Sequence, residues 1–200
     1  AAPTAPAAAK PGGVLKFGLI PDENSEKVLG RFKVFTAYME KNLDMKVEAT
    51  VGTDYSATIE AMKAKKIDLA FLGPFSYVLA ADVAQAEALV VTGLANGSIS
   101  TYNSVIITHK DSTIKKLEDL KGKSFSFADP ASTSGHLIPR SILVRAGYDV
   151  DKDMKPIFAG GHDASALAVN GGKVDAGAVA DSILPRLLDR KLVDSANYVI

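Results

Sequence analysis

Apolar and polar positions along this chain follow two periods, and segments of each period take turns. Residues 14–20 form an apolar run that stops at Pro21, the pattern of a buried strand. Ser25–Leu43 places apolar residues at 28, 32, 35, 39 and 43, which lines one face of a helix. Residues 46–51 alternate as a strand, and Thr53 or Asp54 caps a helix that runs to about Ala64. A strand over 67–72, a helix over 74–84 with Pro74 in its first turn, and a strand over 89–94 complete the first half. This β-α-β-α-β-α-β order predicts a parallel sheet covered on both faces.

The second half continues in the same manner. Residues 103–108 read as extended, 114–120 as a short helix and 124–128 as a strand. A helix from near Ser134 to Arg145 stops at Gly147, and Pro139 argues for a later true start. Residues 155–159 form a strand, 162–170 a helix closed by Gly171-Gly172, 174–180 a strand and 182–190 a last helix. The reading is two α/β units joined through residues 97–103, with no repeat at a fixed period.

Composition narrows the function classes. The 200 residues are 47% hydrophobic, enough for a real core, and 23 basic residues balance 23 acidic ones. No basic run marks a nucleic-acid footprint, and the longest apolar stretches are too short to span a membrane. With no cysteine there is no thiolate zinc site, disulfide framework or Cys nucleophile. Residues 1–13, mostly Ala, Pro and Gly, read as a flexible tether left at a mature amino terminus after export.

Ligand sites in such sheets lie beyond the carboxyl ends of strands, where loops meet helix N-termini. That rule selects the loops at 52–55, 73–77, 129–135, 160–163 and 180–182. Ser132-Thr133-Ser134-Gly135 supplies three hydroxyls, a glycine for close backbone approach and the positive end of a helix. One hydroxyl there is an ordinary cap, and three exceed what a cap needs. His162 follows Gly160-Gly161 in a matching position, as an oxyanion donor or a first-turn surface residue. Tyr55 and Tyr102 bring phenol donors to the site edge, while Tyr77 has helical spacing and reads as core. Asp181 either meets an acidic proton on a ligand or caps the last helix. The three histidines have no metal-ligand spacing, and no nucleophile elbow, P-loop or H-E-x-x-H is present. A Ser134–His162 hydrolase has no further support, so the residues describe a receptor for an anion, without catalytic residues, metal or cofactor.

The stretch Ala128-Asp129-Pro130-x-Ser132-Thr133-Ser134-Gly135-x-x-x-Pro139 resembles the phosphonate/phosphite substrate-binding proteins of ABC importers. So do Asp68-Leu69-Ala70-Phe71-Leu72-Gly73-Pro74, Tyr102-x-Ser104-Val105 and Gly161-His162-x-x-x-Ala166-Leu167-Ala168, in order along the chain. The resemblance implies a type II periplasmic-binding-protein fold, two α/β lobes with a ligand cleft between them. Lobe 1 is expected over 14–100 and lobe 2 over 101–196. Residues 197–200 would begin a return crossing to lobe 1, which is then incomplete within this sequence. Carried over motif by motif, the binding residues are Tyr55, Tyr102, Ser132, Thr133, Ser134 and His162, to which Asp181 is added from its loop position. The implied function is extracytoplasmic capture of phosphite, methylphosphonate or phosphate by a monomer, for a membrane ABC permease. The alternative is a ligand-sensing domain of the same fold in a signalling protein. Ser182 stands where members taking aminoethylphosphonate are expected to place a carboxylate, which disfavours an amine-bearing ligand.

Overall fold

A computed structural model describes residues 13–194. The expected tether, except Gly13, and the expected return crossing fall outside the described residues. The first sheet is three-stranded and parallel, in the order β2-β1-β3, from β1 (Val14–Leu19), β2 (Lys46–Val51) and β3 (Leu69–Phe71). The helix α1 (Ser25–Leu43) crosses from β1 to β2, and α2 (Tyr55–Lys63) from β2 to β3. α3 (Pro74–Ala84) follows β3. Asn24 and Asp54 cap α1 and α2 by accepting the Glu26 and Ala57 amides. Phe17, Leu19, Val28 and Met39 form the core of this lobe, with Phe32 packed on Phe17 and Phe71 at 5.7 and 4.7 Å between ring centres.

The second sheet has the order β4-β7-β5-β6, from β4 (Ser104–Thr108), β5 (Ser124–Phe127), β6 (Lys155–Phe158) and β7 (Ala176–Ala180). β5 runs parallel to both β6 and β7, but β4 pairs antiparallel with β7. The expectation of a second lobe in the parallel style of the first is therefore corrected: β4 enters from the first lobe and lies antiparallel on β7. Residues Phe125, Phe127, Leu143 and Met154 fill one side of this sheet, and Ile107, Val169, Val179 and Leu187 the other. The helices are α4 (Ile138–Arg145), the short α5 (Val150–Asp153), which the pattern does not predict, α6 (His162–Asn170) and α7 (Ile183–Asp189).

Three further expectations change. Residues 89–94 do not form a strand of either sheet; Val90 and Val91 are exposed, and the segment folds back through a Gly93–Ile99 bridge around Asn96-Gly97. A strand needs a partner, and this hairpin turn supplies the segment with its own neighbour. The helix expected over 114–120 shrinks to a 3-10 turn at Leu117–Leu120. The helix expected from Ser134 begins as a π-helical turn, Thr133–Leu137, before α4. Pro139 explains this. It has no N–H to give the Gly135 carbonyl, which accepts the Ala128 amide at 3.0 Å instead and fastens the turn to the end of β5.

Candidate functional site

Except for the segment of Tyr102 and Asn103, which leads into the amino end of β4, the loops that meet between the lobes leave the carboxyl ends of parallel strands. From the first lobe come the β1–α1 loop, the start of α2 and the start of α3; from the second come the loops after β5, β6 and β7. A small apolar cluster of Ile20, Tyr55 and Ala131, with Leu72 and Leu79 against it, holds the lobes together at their contact.

The β5–α4 loop is shaped by Asp129. Its buried carboxylate accepts the Ala131 amide at 2.7 Å in its own turn and the Tyr55 amide at 3.3 Å from the other lobe. Burial raises its pKa above the ordinary carboxylate value, against the two backbone donors that lower it. Three residues on, Ser132 Oγ accepts the Gly135 amide at 3.0 Å and lies 3.3 Å from His162 Nε2. Gly135 is required by close approach rather than by its φ. A Cβ there would come within 2.4 Å of Ala128 Cβ, 2.8 Å of His162 Cε1 and 2.9 Å of Ser132 Oγ.

His162 opens α6 after Gly160, whose φ of +93° makes the tight turn out of β6. The ring is buried, and its Nδ1 accepts the Ala180 amide at 3.2 Å. The proton of the neutral ring is thereby assigned to Nε2, which faces Ser132. Burial lowers the pKa of His162 to about 4, Asp163 opposes this and Arg186 adds to it. The ring is a neutral donor at physiological pH. Ser132 Oγ already accepts from Gly135 and His162, so its own hydrogen is left to donate to a further acceptor.

Tyr55 is buried beside these groups, with Ser132 within hydrogen-bonding reach of its phenol. Burial first, then the nearby Asp22 and Asp129 carboxylates, push its pKa far above the ordinary value. It stays protonated. Thr133 Oγ1 accepts the Phe75 amide of α3 at 2.8 Å, which leaves its hydroxyl hydrogen free to donate as well. Ser134 is buried, and its carbonyl accepts the Ser104 hydroxyl at 2.7 Å. Tyr55, Ser132 and His162 thus form one group, with Thr133 and Ser134 on the same turn.

Tyr102 lies at the edge, 40% exposed, yet close enough to Tyr55 to disfavour its phenolate. Asp181 is bonded to Asn103, at the amino end of β4. Its carboxylate accepts Asn103 Nδ2 at 2.8 Å, and its amide donates to the Asn103 carbonyl at 3.0 Å. Burial alone would raise its pKa, but the Asn103 and Ser182 donors outweigh that and lower it. Among the described residues no group of His, Asp and Glu is arranged to hold a metal ion. No described helix is long and apolar enough to cross a membrane.

One loop of the site escapes the sequence reading: Pro21-Asp22-Glu23-Asn24, between β1 and α1. The Asp22 carbonyl accepts the His162 amide at 2.9 Å, and the Asn24 amide donates to Asp163 at 2.9 Å. The strand-end rule applies to β1 as to the other strands, and the adjacent Asp22-Glu23 was the available signal.

The profile of the family described as "ABC transporter, phosphonate, periplasmic substrate-binding protein" matches residues 17–199. The chain is 36% identical over 187 residues to the phosphate-import protein PhnD of Mycolicibacterium smegmatis, covering 89% of this chain and 57% of that protein. It is 35% identical over 175 residues to a probable ABC transporter phosphite-binding protein, PhnD1, of Prochlorococcus marinus, covering 83% of this chain and 58% of that protein. The chain therefore spans less than two thirds of the length of these curated relatives. The solved structure of Prochlorococcus marinus PhnD1 in complex with methylphosphonate matches with a TM-score of 0.81 and 30% identity, over 93% of this chain and 70% of that one. The α/β architecture with two lobes agrees with these neighbours, and the chain belongs to the periplasmic phosphonate substrate-binding protein family of ABC transporters.

Proposed function

We propose that this chain captures a small phosphorus oxyanion, phosphite, methylphosphonate or phosphate, outside the cytoplasm and delivers it to a membrane ABC permease. The observation that carries the reading is the convergence of neutral buried donors between the lobes. The Tyr55 phenol and Ser132 hydroxyl meet the Nε2–H of a His162 that burial keeps uncharged. Groups of this kind select an anion by shape and hydrogen bonding, and they need no counter-charge that would also admit unrelated anions. In this reading residues 14–100 and 101–196 are the lobes. Thr133 and Ser134 add donors from the same turn, and Tyr102 covers the entrance. Asp181, steadied by Asn103, accepts a proton carried by the ligand. The reading is of a monomeric receptor with no catalytic step.

The names of the relatives support the class of ligand: phosphate for the mycobacterial protein, phosphite and methylphosphonate for the Prochlorococcus one. Ser182, a neutral residue at the start of α7, leaves no carboxylate there for an amine, which argues against aminoethylphosphonate. Calorimetric titration with phosphite, methylphosphonate, phosphate, sulfate and aminoethylphosphonate tests the proposal. Binding of at least one of the first three, tighter than the last two, is expected. A preference for sulfate, or no binding of any phosphorus ligand, overturns it.

A further inference from the structure

A second cluster joins the lobes, and it is built from charges. Glu23, in the β1–α1 loop, has a side chain only 1% exposed, and a carboxylate so far from water needs strong partners. Arg31, on α1 of the same lobe, donates to its Oε2 at 2.8 Å and also grips the Asp22 carboxylate at 2.7 and 2.8 Å. One bound guanidinium already pairs the charge. Two more nevertheless arrive from the other lobe. Arg186 Nε reaches Oε2 at 2.9 Å and Arg190 reaches Oε1 at 3.1 Å, the first from α7 and the second from its C-cap. Spaced four residues apart, these arginines face the same side of the helix.

The same loop carries the two backbone contacts to α6, from the Asp22 carbonyl to the His162 amide and from the Asn24 amide to Asp163. Separating the lobes would strip Glu23 of Arg186 and Arg190 and release both contacts at once. We infer that Glu23 is a positioning residue: with Arg186 and Arg190 it latches the lobes together and holds the β1–α1 loop against the turn that carries His162. The inference deepens the oxyanion-binding reading and rests on it for its effect on affinity. The neutral cluster recognises the ligand, and the latch sets how long the lobes stay closed on it.

The test compares the full wild-type chain with Glu23→Gln and with the double variant Arg186→Gln/Arg190→Gln. Amide hydrogen exchange is followed at His162 and Asn24, with Phe125 and Ala178 of the inner strands β5 and β7 as reference, at about 0.05 and 0.5 M NaCl. In both variants, exchange at His162 and Asn24 is expected to rise about tenfold at low salt while the reference amides hold, since the exposed rims of the arginines leave the latch open to screening. Added salt should speed the two amides in the wild type and change little in the variants. Dissociation of methylphosphonate should quicken by a similar factor, with association nearly unaltered. Equal exchange at His162 and Asn24 in all three proteins overturns the latch. So does a rise shared equally by Phe125 and Ala178 in both variants, which would assign the cluster to general stability. If the wild type binds no phosphorus ligand, the proposed function falls, and the exchange data still decide the latch.

Discussion

Two clusters span the same boundary between lobes and use opposite chemistry. Around Ser132 every contact is neutral: an amide, a phenol and an imidazole held without charge by burial. Around Glu23 the contacts are ionic, one carboxylate between guanidinium groups from both lobes. The charged cluster pairs its two carboxylates with guanidinium groups inside the protein. In the proposed reading the neutral cluster offers its hydroxyl groups to an incoming acceptor. The anion is then met by the neutral donors, and the charges serve the contact between lobes.

The strongest way to break this contrast is to fill the space that lets the neutral donors meet. Gly135→Ala should abolish measurable binding, because its Cβ would collide with Ala128, His162 and Ser132 together. It should also cost about 1–3 kcal/mol of stability from overpacking. Calorimetry and thermal unfolding check both, and a variant that binds like the wild type would show the site is placed elsewhere. Next come the donors themselves. Ser132→Ala, Ser134→Ala and His162→Ala should each weaken binding by about 1–3 kcal/mol per lost donor, with the fold retained. Unchanged affinity in all three would remove the site assignment.

A pH series sharpens the claim that His162 is neutral. Its folded pKa, about 4, lies below the ordinary value of 6.5, so between these values the unfolded chain binds more protons. Stability from this residue is complete above pH 6.5 and is lost as pH falls toward 4. His136 is shifted in the same direction, by burial. Asp129, raised by burial, acts with the opposite sign, losing stability as pH rises above its ordinary value of 3.8. The His162 share is therefore the difference between wild type and His162→Gln, whose unfolding midpoint should fall less between pH 7 and pH 5. Equal slopes would mean that the ring is not held neutral. The smallest effect is expected at the half-open edge. Tyr102→Phe removes one exposed hydroxyl and should weaken binding by no more than about threefold, within the range of a partly solvated hydrogen bond. A larger loss would move Tyr102 from the rim to the centre.

Much of this architecture was legible from periodicity. Ser25–Leu43, Lys46–Val51 and Pro74–Ala84 appear with the expected bounds, because each couples a clear period to a cap, a proline or a turn at its end. Residues 89–94 misled because an apolar run does not reveal whether a partner strand exists. The π-helical start at Thr133–Leu137 was only half legible. Pro139 announces that an α-helical bond is missing, but the acceptor's new partner, Ala128, is set by how β5 ends.

The sequence by itself determined the α/β class, the succession of strand-end loops and the hydroxyl-rich turn after β5. Spacing, capping and glycine placement are local properties, and they act before any long-range contact forms. Only the tertiary structure decided that β4 lies antiparallel on β7 and that Asp181 is engaged by Asn103. It also decided that His162 gives its Nε2 proton toward Ser132 and that Glu23 gathers arginines more than 160 positions away, at 186 and 190. Pairing direction, tautomer and burial depend on which distant residues come into contact, and no pattern along the chain encodes that distance.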